Sequence, residues 1–347
     1  MILKVAEIEQ QLRDIWKGFS QNEQKNQAIT RAQVMNLIVY TSDKEADAEI
    51  NQVVADVSVD NPGRMIVLIQ DTDLPASALN AWVNALCHLS SGGRRQVCCE
   101  QIMIHAGDRD PFQWSSIVLP LIVTDVPVFL WWQDHPEADL PLLNAILEVC
   151  DRLILDSSSC RSFRSLIDLM DTHGEWLAIS DLNWARLTPW RHAVAGFYDH
   201  LACEKRLGNI ERIEIECDSP FEGAGQAYLL LGWLASSLSW KWTDTLRMQS
   251  ASGNSIEIAI SRKSNSADKL LSVILRSTDA EYRVSLAKDS QYLQTEVIIQ
   301  QQRRAAQLVR IPPQSLSFLI AKEVSIPGHD AVYERSIRSI PDWPTLP

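Results

Sequence analysis

The chain has 347 residues, 46% of them apolar and 22% charged, a balance that excludes wholesale disorder and suits two domains. Forty-four acids against 32 bases leave a net charge of −12, which argues against a general binder of nucleic acid or of anionic membranes. The surplus is one-sided. Residues 1–203 hold 27 acids and 15 bases, whereas residues 204–347 hold 17 of each, which places a division near residue 205.

Residues 1–19 put Val5, Ile8, Leu12, Ile15 and Phe19 at helical spacing, an amphipathic helix without the basic start and apolar run of a signal peptide. Residues 31–41 then read as a strand, 43–57 as a helix, 64–71 as a buried strand and 76–89 as a helix. Residues 94–106 alternate with period two, and 115–123 are helical or irregular. A strand over 127–132, a helix over 139–150 and a strand over 151–158 follow. Next come a helix over 162–173, a short strand over 175–181 and a helix over 188–206. Thr188 suits the cap of that last helix and Pro189 its first position. Residues 210–217 add one more strand. Such alternation favours helices layered on a mostly parallel sheet. The longest apolar stretch, Ile117 to Trp132, is broken by Pro120, Asp125 and Pro127 and falls short of the ~20 residues of a spanning helix. A soluble, cytoplasmic protein without membrane contact is expected.

The second part is patterned differently. Residues 225–240 are apolar nearly all round, as a buried helix is. Short alternating runs follow at 241–251, 254–263, 269–277, 281–289 and 291–300, with Ser252-Gly253-Asn254 at one turn. The expected fold class is therefore α/β: a layered N-terminal α/β domain, residues 1–205, with a mostly parallel sheet, plus a smaller C-terminal α+β domain, residues 206–347, with antiparallel strands.

Catalytic motifs are sparse. There is no GxxxxGK[ST] loop, no GxSxG elbow and no HExxH. The turn Gly223-Ala224-Gly225-Gln226-Ala227-Tyr228 starts like a dinucleotide fingerprint but places Tyr where a small residue must let helix and strand approach. His105 with Asp108 and Asp110 reads as a polar loop. No cofactor and no metal site is expected, and no histidine pairs with Cys or His at metal spacing. Asp71 and Asp73, after a buried strand, support the alternative: a sugar-phosphate or sugar-nucleotide processing enzyme using both carboxylates as hard ligands. Seven cysteines without a CxxC pair read as small buried hydrophobes, leaving open whether Cys98, Cys99 or another thiol senses redox state. Two features suit a protein partner. Arg94 and Arg95 follow a tight Ser-Ser-Gly-Gly turn, where guanidinium forks can grip carboxylate or phosphate. Twelve tryptophans, Trp131 and Trp132 adjacent among them, offer anchors of the kind enriched at interface hot spots.

Four segments, Val97 to Ile102, Leu119 to Trp132, Asp181 to Arg191 and Gly232 to Trp240, together resemble the OpcA family of glucose-6-phosphate dehydrogenase assembly proteins, in its cyanobacterial branch. The resemblance implies a non-catalytic protein that binds glucose-6-phosphate dehydrogenase, promotes its assembly or raises its activity, and so feeds the oxidative pentose phosphate pathway. An allosteric activator of this kind would favour the active enzyme conformation. The contact residues expected for that partner are Arg94, Arg95, Trp131, Trp132, Trp190 and Arg191. The resemblance also implies thioredoxin as a possible partner, although Cys217 is the last cysteine and the final 130 residues hold no thiol.

Overall fold

The computed structural model describes residues 5–341 apart from 23–27, 77, 90–94, 108–110, 137–139, 161, 200–205, 207, 219–224 and 264–268. The helices of the first half are α1 (Val5–Asn22), α2 (Asp47–Asp60), α3 (Pro111–Val118), α4 (Leu140–Leu147) and α5 (Arg164–His173). Those of the second half are α6 (Leu182–Arg186), α7 (Thr188–Ala195), α8 (Gly225–Leu238), α9 (Leu316–Glu323) and α10 (Ala331–Arg338). The chain forms two compact units made of interleaved segments. The first comprises Met1–Leu155, Thr172–Ser180 and Ser315–His329, and the second Asp156–Asp171, Asp181–Gln314 and Asp330–Pro347. They differ from the expected 1–205 and 206–347, because a shift in composition cannot reveal a segment that leaves one unit and returns later.

The first unit is built on β1 (Ala28–Arg31), β2 (Asn36–Thr41), β3 (Arg64–Gln70), β4 (Leu79–Leu89), β5 (Arg95–Ala106), β6 (Val128–Trp132), β7 (Arg152–Leu155) and β8 (Ala178–Asp181), whose last residue, Asp181, opens a segment of the second unit. Their order is β1-β5-β3-β2-β6-β7-β8, with β4 added on β5. β1–β5, β5–β3, β3–β2, β2–β6 and β6–β7 pair in parallel. β2, β6 and β7 are buried along their whole length, as continuous runs such as Leu37-Ile38-Val39 demand of a sheet covered on both faces. α1 packs on β4, α2 on β4 and on α9, and α3 on α4. Gly63 lets the turn before β3 lie against Met35, whose carbonyl oxygen would stand 2.3 Å from an added Cβ.

A second departure concerns residues 76–89, expected as a helix. Leu79–Leu89 is instead β4, antiparallel to β5 from Leu79↔Ala106 to Leu89↔Gln96. Ala and Leu favour a helix locally, but the long edge of β5 needs partners for its amides, and tertiary pairing overrides propensity. That pairing brings Cys87 opposite Cys98, and the two form a disulfide between Cα atoms 4.1 Å apart. Cys99, Cys150 and Cys217 are buried thiols outside any disulfide, as expected.

The second unit holds β9 (Arg212–Asp218), β10 (Lys241–Asp244), β11 (Arg247–Gln249), β12 (Ser255–Lys263), β13 (Lys269–Arg276), β14 (Ala280–Leu286), β15 (Tyr292–Ile299) and β16 (Gln302–Arg310). The order is β10-β11-β12-β9-β13-β14-β15-β16. β12 and β9 pair in parallel and every other pairing is antiparallel, so the α/β and α+β expectation holds. One face of this sheet is buried through Ile213, Ile215, Val273, Leu275, Tyr282 and Val284. α7 packs on β14, β15 and β16, and α8 on β13 and α10. α8 is buried nearly all round, and Gly232 lets α10 come so close that an added Cβ would stand 2.4 Å from the Ser336 carbonyl oxygen. Thr188 is the first residue of α7, one position later than its expected capping role, and Leu187 stands at the cap position without a side-chain hydrogen bond.

Candidate functional site

In a parallel sheet, ligands collect at the carboxyl ends of the strands where the strand order reverses. Here that point lies between β2 and β6. β2 ends in Thr41, and the following loop contains no glycine. Asp134, just after β6, accepts from the Ser42 backbone N–H at 2.9 Å and from Thr41 Oγ1 at 3.3 Å. A carboxylate of the chain itself thus takes the amide that a phosphate would use. Asp43 caps the next turn by accepting from the Glu45 N–H. Asp71 accepts from the Asp73 N–H, and Asp73 pairs with Lys44. The two carboxylates of the alternative enzyme reading are therefore committed to a turn and to an ammonium group. Among the described residues no three His, Cys, Asp or Glu side chains are placed to hold a metal ion.

Beneath this crevice the core is aromatic. Trp131 and Trp132 are 2% and 1% exposed, with Trp132 stacked on Tyr40 at 4.2 Å and Trp114 edge-on to Tyr40 at 6.1 Å. Strand alternation points the two adjacent indoles to opposite faces, and both faces are covered. Trp190, in α7 of the second unit, is 5% exposed. Arg191 is half-buried, its guanidinium 3.4 Å above the Trp184 ring, and it donates to Thr188 Oγ1. Arg94 lies outside the described residues, and Arg95 opens β5 opposite Ala28. The six expected contact residues thus divide between the two units, and the three tryptophans are spent inside their own cores.

Sequence reasoning missed three other features. A cleft of about 610 Å³ in the first unit opens at the starts of β6, β7 and β8, between Phe129, Arg152, Ile326, His329 and the exposed ring of Trp176. Its guanidinium, on Arg152, donates to Ser180 Oγ and to the carbonyl oxygens of Ile326 and Gly328.

A second feature is the buried carboxyl of Asp181 in the second unit. It accepts from Ser157 Oγ at 2.6 Å, from the N–H groups of Ser157 and Asn183, and from the Tyr333 hydroxyl at 3.2 Å. Burial pushes this carboxyl up to about 6, and the hydrogen bonds only partly offset that effect. Burial also works to raise nearby Asp156, but the fork of Arg186 outweighs it and holds Asp156 below the usual carboxylate range.

The third is the open face of the second sheet. Arg212 pairs with Glu257 at 2.7 Å and with Glu214 at 2.9 Å, Arg276 with Glu214 at 3.1 Å and with Glu281, and Arg283 with Glu281 at 2.6 Å. Further across, Arg303 pairs with Glu296. Arg276, assisted by Arg212, holds the Glu214 carboxyl below its ordinary range. The signal in sequence was the Arg-x-Glu and Glu-x-Arg spacing of β9 and β14, which puts both charges of each pair on one face of a strand.

Comparison with known proteins follows the two parts of the chain. Residues 54–170 match a family model described as the glucose-6-phosphate dehydrogenase subunit N-terminal domain, and residues 177–337 the model of its C-terminal domain. A Synechocystis protein bearing the name OxPP cycle protein OpcA is 28% identical over 196 residues, 56% of this chain and 41% of the relative. Its namesake from Nostoc punctiforme is 28% identical over 192 residues, 55% of this chain and 41% of the relative. The matched stretch thus spans less than half the length of these curated relatives. Among solved structures, a 3-ketoreductase from Actinomadura kijaniata, in complex with TDP-benzene and NADP, is 10% identical. It covers 88% of this chain and 94% of its own at a TM-score of 0.52, a likeness of fold alone. The donors a dinucleotide needs do not fit here, because Asp134 holds the loop amide and Asp43, Asp71 and Asp73 line the same edge.

Proposed function

This chain belongs to the OpcA family of glucose-6-phosphate dehydrogenase assembly proteins, and from that membership we propose that it binds glucose-6-phosphate dehydrogenase as a non-catalytic assembly factor and activates it. The observation that carries the proposal is that matches to the family's N-terminal and C-terminal domains follow one another along most of the chain. The self-filled crevice at Ser42 and Asp134 supports it, since a protein without a nucleotide site needs no turnover of its own to act on another enzyme.

Activation follows if this chain binds the active conformation of the dehydrogenase more tightly than the inactive one, because a ligand shifts an equilibrium only by its differential affinity. A coupling of ~1–3 kcal/mol changes substrate affinity by roughly 5–150-fold. Contact falls to Arg94, Arg95 and Arg191, as guanidinium clamps on acidic groups of the enzyme. Trp131, Trp132 and Trp190 are buried and act from within, Trp190 on the helix that carries Arg191. The protein works in the cytoplasm and needs no membrane; among the described residues no helix is long and apolar enough to cross one.

The test is a titration of this chain into the dehydrogenase while NADPH production is followed at several substrate concentrations. A saturable fall in the half-saturating substrate concentration is expected. If a folded sample leaves both that concentration and the maximal rate unchanged at every ratio, the proposal fails.

A further inference from the structure

One level of the open face of the second sheet complements itself in charge at two of its three facing pairs. At one level across six neighbouring strands stand Glu257, Arg212, Arg276, Glu281, Ile298 and Arg303, in register from β12 to β16. In charge the row runs minus, plus, plus, minus, apolar, plus. Turned about a two-fold axis that runs along the strands between β13 and β14, it sets Glu257 opposite Arg303, Arg276 opposite Glu281 and Arg212 opposite the apolar Ile298. The adjacent level then places Ile274 against Arg283. Glu214 meets Glu296, each already holding an arginine of its own chain.

Two further properties suit this face to being covered. Its charges are already matched within the chain, so covering them costs less than covering lone ions. Four of its cations are arginines, whose guanidinium is more weakly hydrated than an ammonium. Apolar side chains stand among them: Ile274 and Ile298 are part-exposed, and Leu308, which faces the same way as Gln294, is 66% exposed. The extent is adequate. Six strands at ~4.8 Å spacing span about 24 Å, and seven or more residues per strand at ~3.4 Å give a similar length. With side-chain relief, a patch of that size approaches the ~800 Å² per partner of a standard interface.

We propose that this face is a homodimer interface, on which a second copy of the chain packs sheet to sheet about a two-fold axis between β13 and β14. The contact is isologous, so each residue of the row is used twice and the assembly closes at two copies.

The test is the solution mass of the full chain by light scattering and sedimentation across the micromolar range. A concentration-dependent species of twice the 39.1 kDa chain mass is expected. Arg276→Glu should weaken the dimer by roughly tenfold or more, because it sets like charges against Glu281 of the other copy. Adding Glu281→Arg to that variant should restore it, since the exchanged charges meet again across the axis. Leu308→Glu, outside the ion pairs, should also weaken the dimer and serves if Arg276→Glu fails to fold by circular dichroism. A monomer throughout the range overturns the proposal, and so does a dimer that neither variant weakens. Binding to the dehydrogenase is measured alongside. If the variants abolish that binding while the mass of the chain alone is unchanged, the face belongs to the enzyme and the homodimer is refuted. An intact dimer without effect on the dehydrogenase refutes the activator reading only.

Discussion

Glu100 in the first unit and Asp181 in the second are equally buried, at 1% exposure, yet their surroundings differ in kind. Glu100 sits on β5 among cations and strong donors. Arg64 reaches it at 2.7 Å, Arg31 at 2.5 Å, the Trp16 indole N–H at 2.5 Å and the Gln33 amide at 2.7 Å. Asp181 meets hydroxyls and backbone amides, with Asp156 adding a repulsive charge nearby. On the open sheet of the second unit a third arrangement appears, in which acids and arginines pair in partial contact with water. The comparison separates three costs: breaking a buried ion pair, ionising a buried acid, and removing a solvated charge.

The largest effect is expected at Glu100. Glu100→Gln leaves the buried Arg64 guanidinium without its main countercharge and loosens the tie to α1, where Trp16 is also held. Loss of a partner in a buried pair costs about 3–5 kcal/mol, which chemical denaturation would read directly. An unchanged midpoint would mean that Glu9 and the Leu121 carbonyl satisfy Arg64 unaided.

The next effect depends on pH. The folded pKa of Asp181, about 6, lies above the unfolded value of 3.8, so the folded state keeps the proton longer. Its stabilising contribution is complete below the unfolded value and is lost as pH rises through about 6. At 1.36 kcal/mol per unit the loss is about 2–3 kcal/mol. Asp181→Asn should remove this slope from denaturation curves between those two values. A slope that persists would place the titration elsewhere.

The smallest effect belongs to the open face. Arg283→Ala, assayed at concentrations where the chain is monomeric, should cost less than ~1 kcal/mol, and added salt should shrink that cost further. A larger, salt-insensitive loss would show that the face behaves as an interior even in the single chain.

How much of this was legible depended on where the cause lay. The apolar runs of β2, β3 and β6 showed a buried parallel sheet, and the all-round apolar surface of α8 showed a buried helix, because both patterns are local. β4 was misread because Ala81, Ala85 and Leu86 favour a helix and only the open edge of β5 makes a strand of them. The Cys87–Cys98 bridge was hidden for the same reason, since register decides which thiols face each other. Trp131 and Trp132 looked like anchors for a partner, yet they point to opposite faces of a sheet that is covered on both. The charge row of the second sheet joins six strands whose order, β12-β9-β13-β14-β15-β16, no spacing in the sequence discloses.

β16 is the last strand of its sheet, and among the described residues no strand lies beside its outer rim of amide and carbonyl groups. Such a rim is a template on which another strand can add, including the same rim of a second chain. The strand carries three arginines and no acid in nine residues, so two copies of this rim repel. Concentrated salt screens that repulsion. It is therefore in strong brine, rather than in dilute buffer, that two chains should join edge to edge along β16.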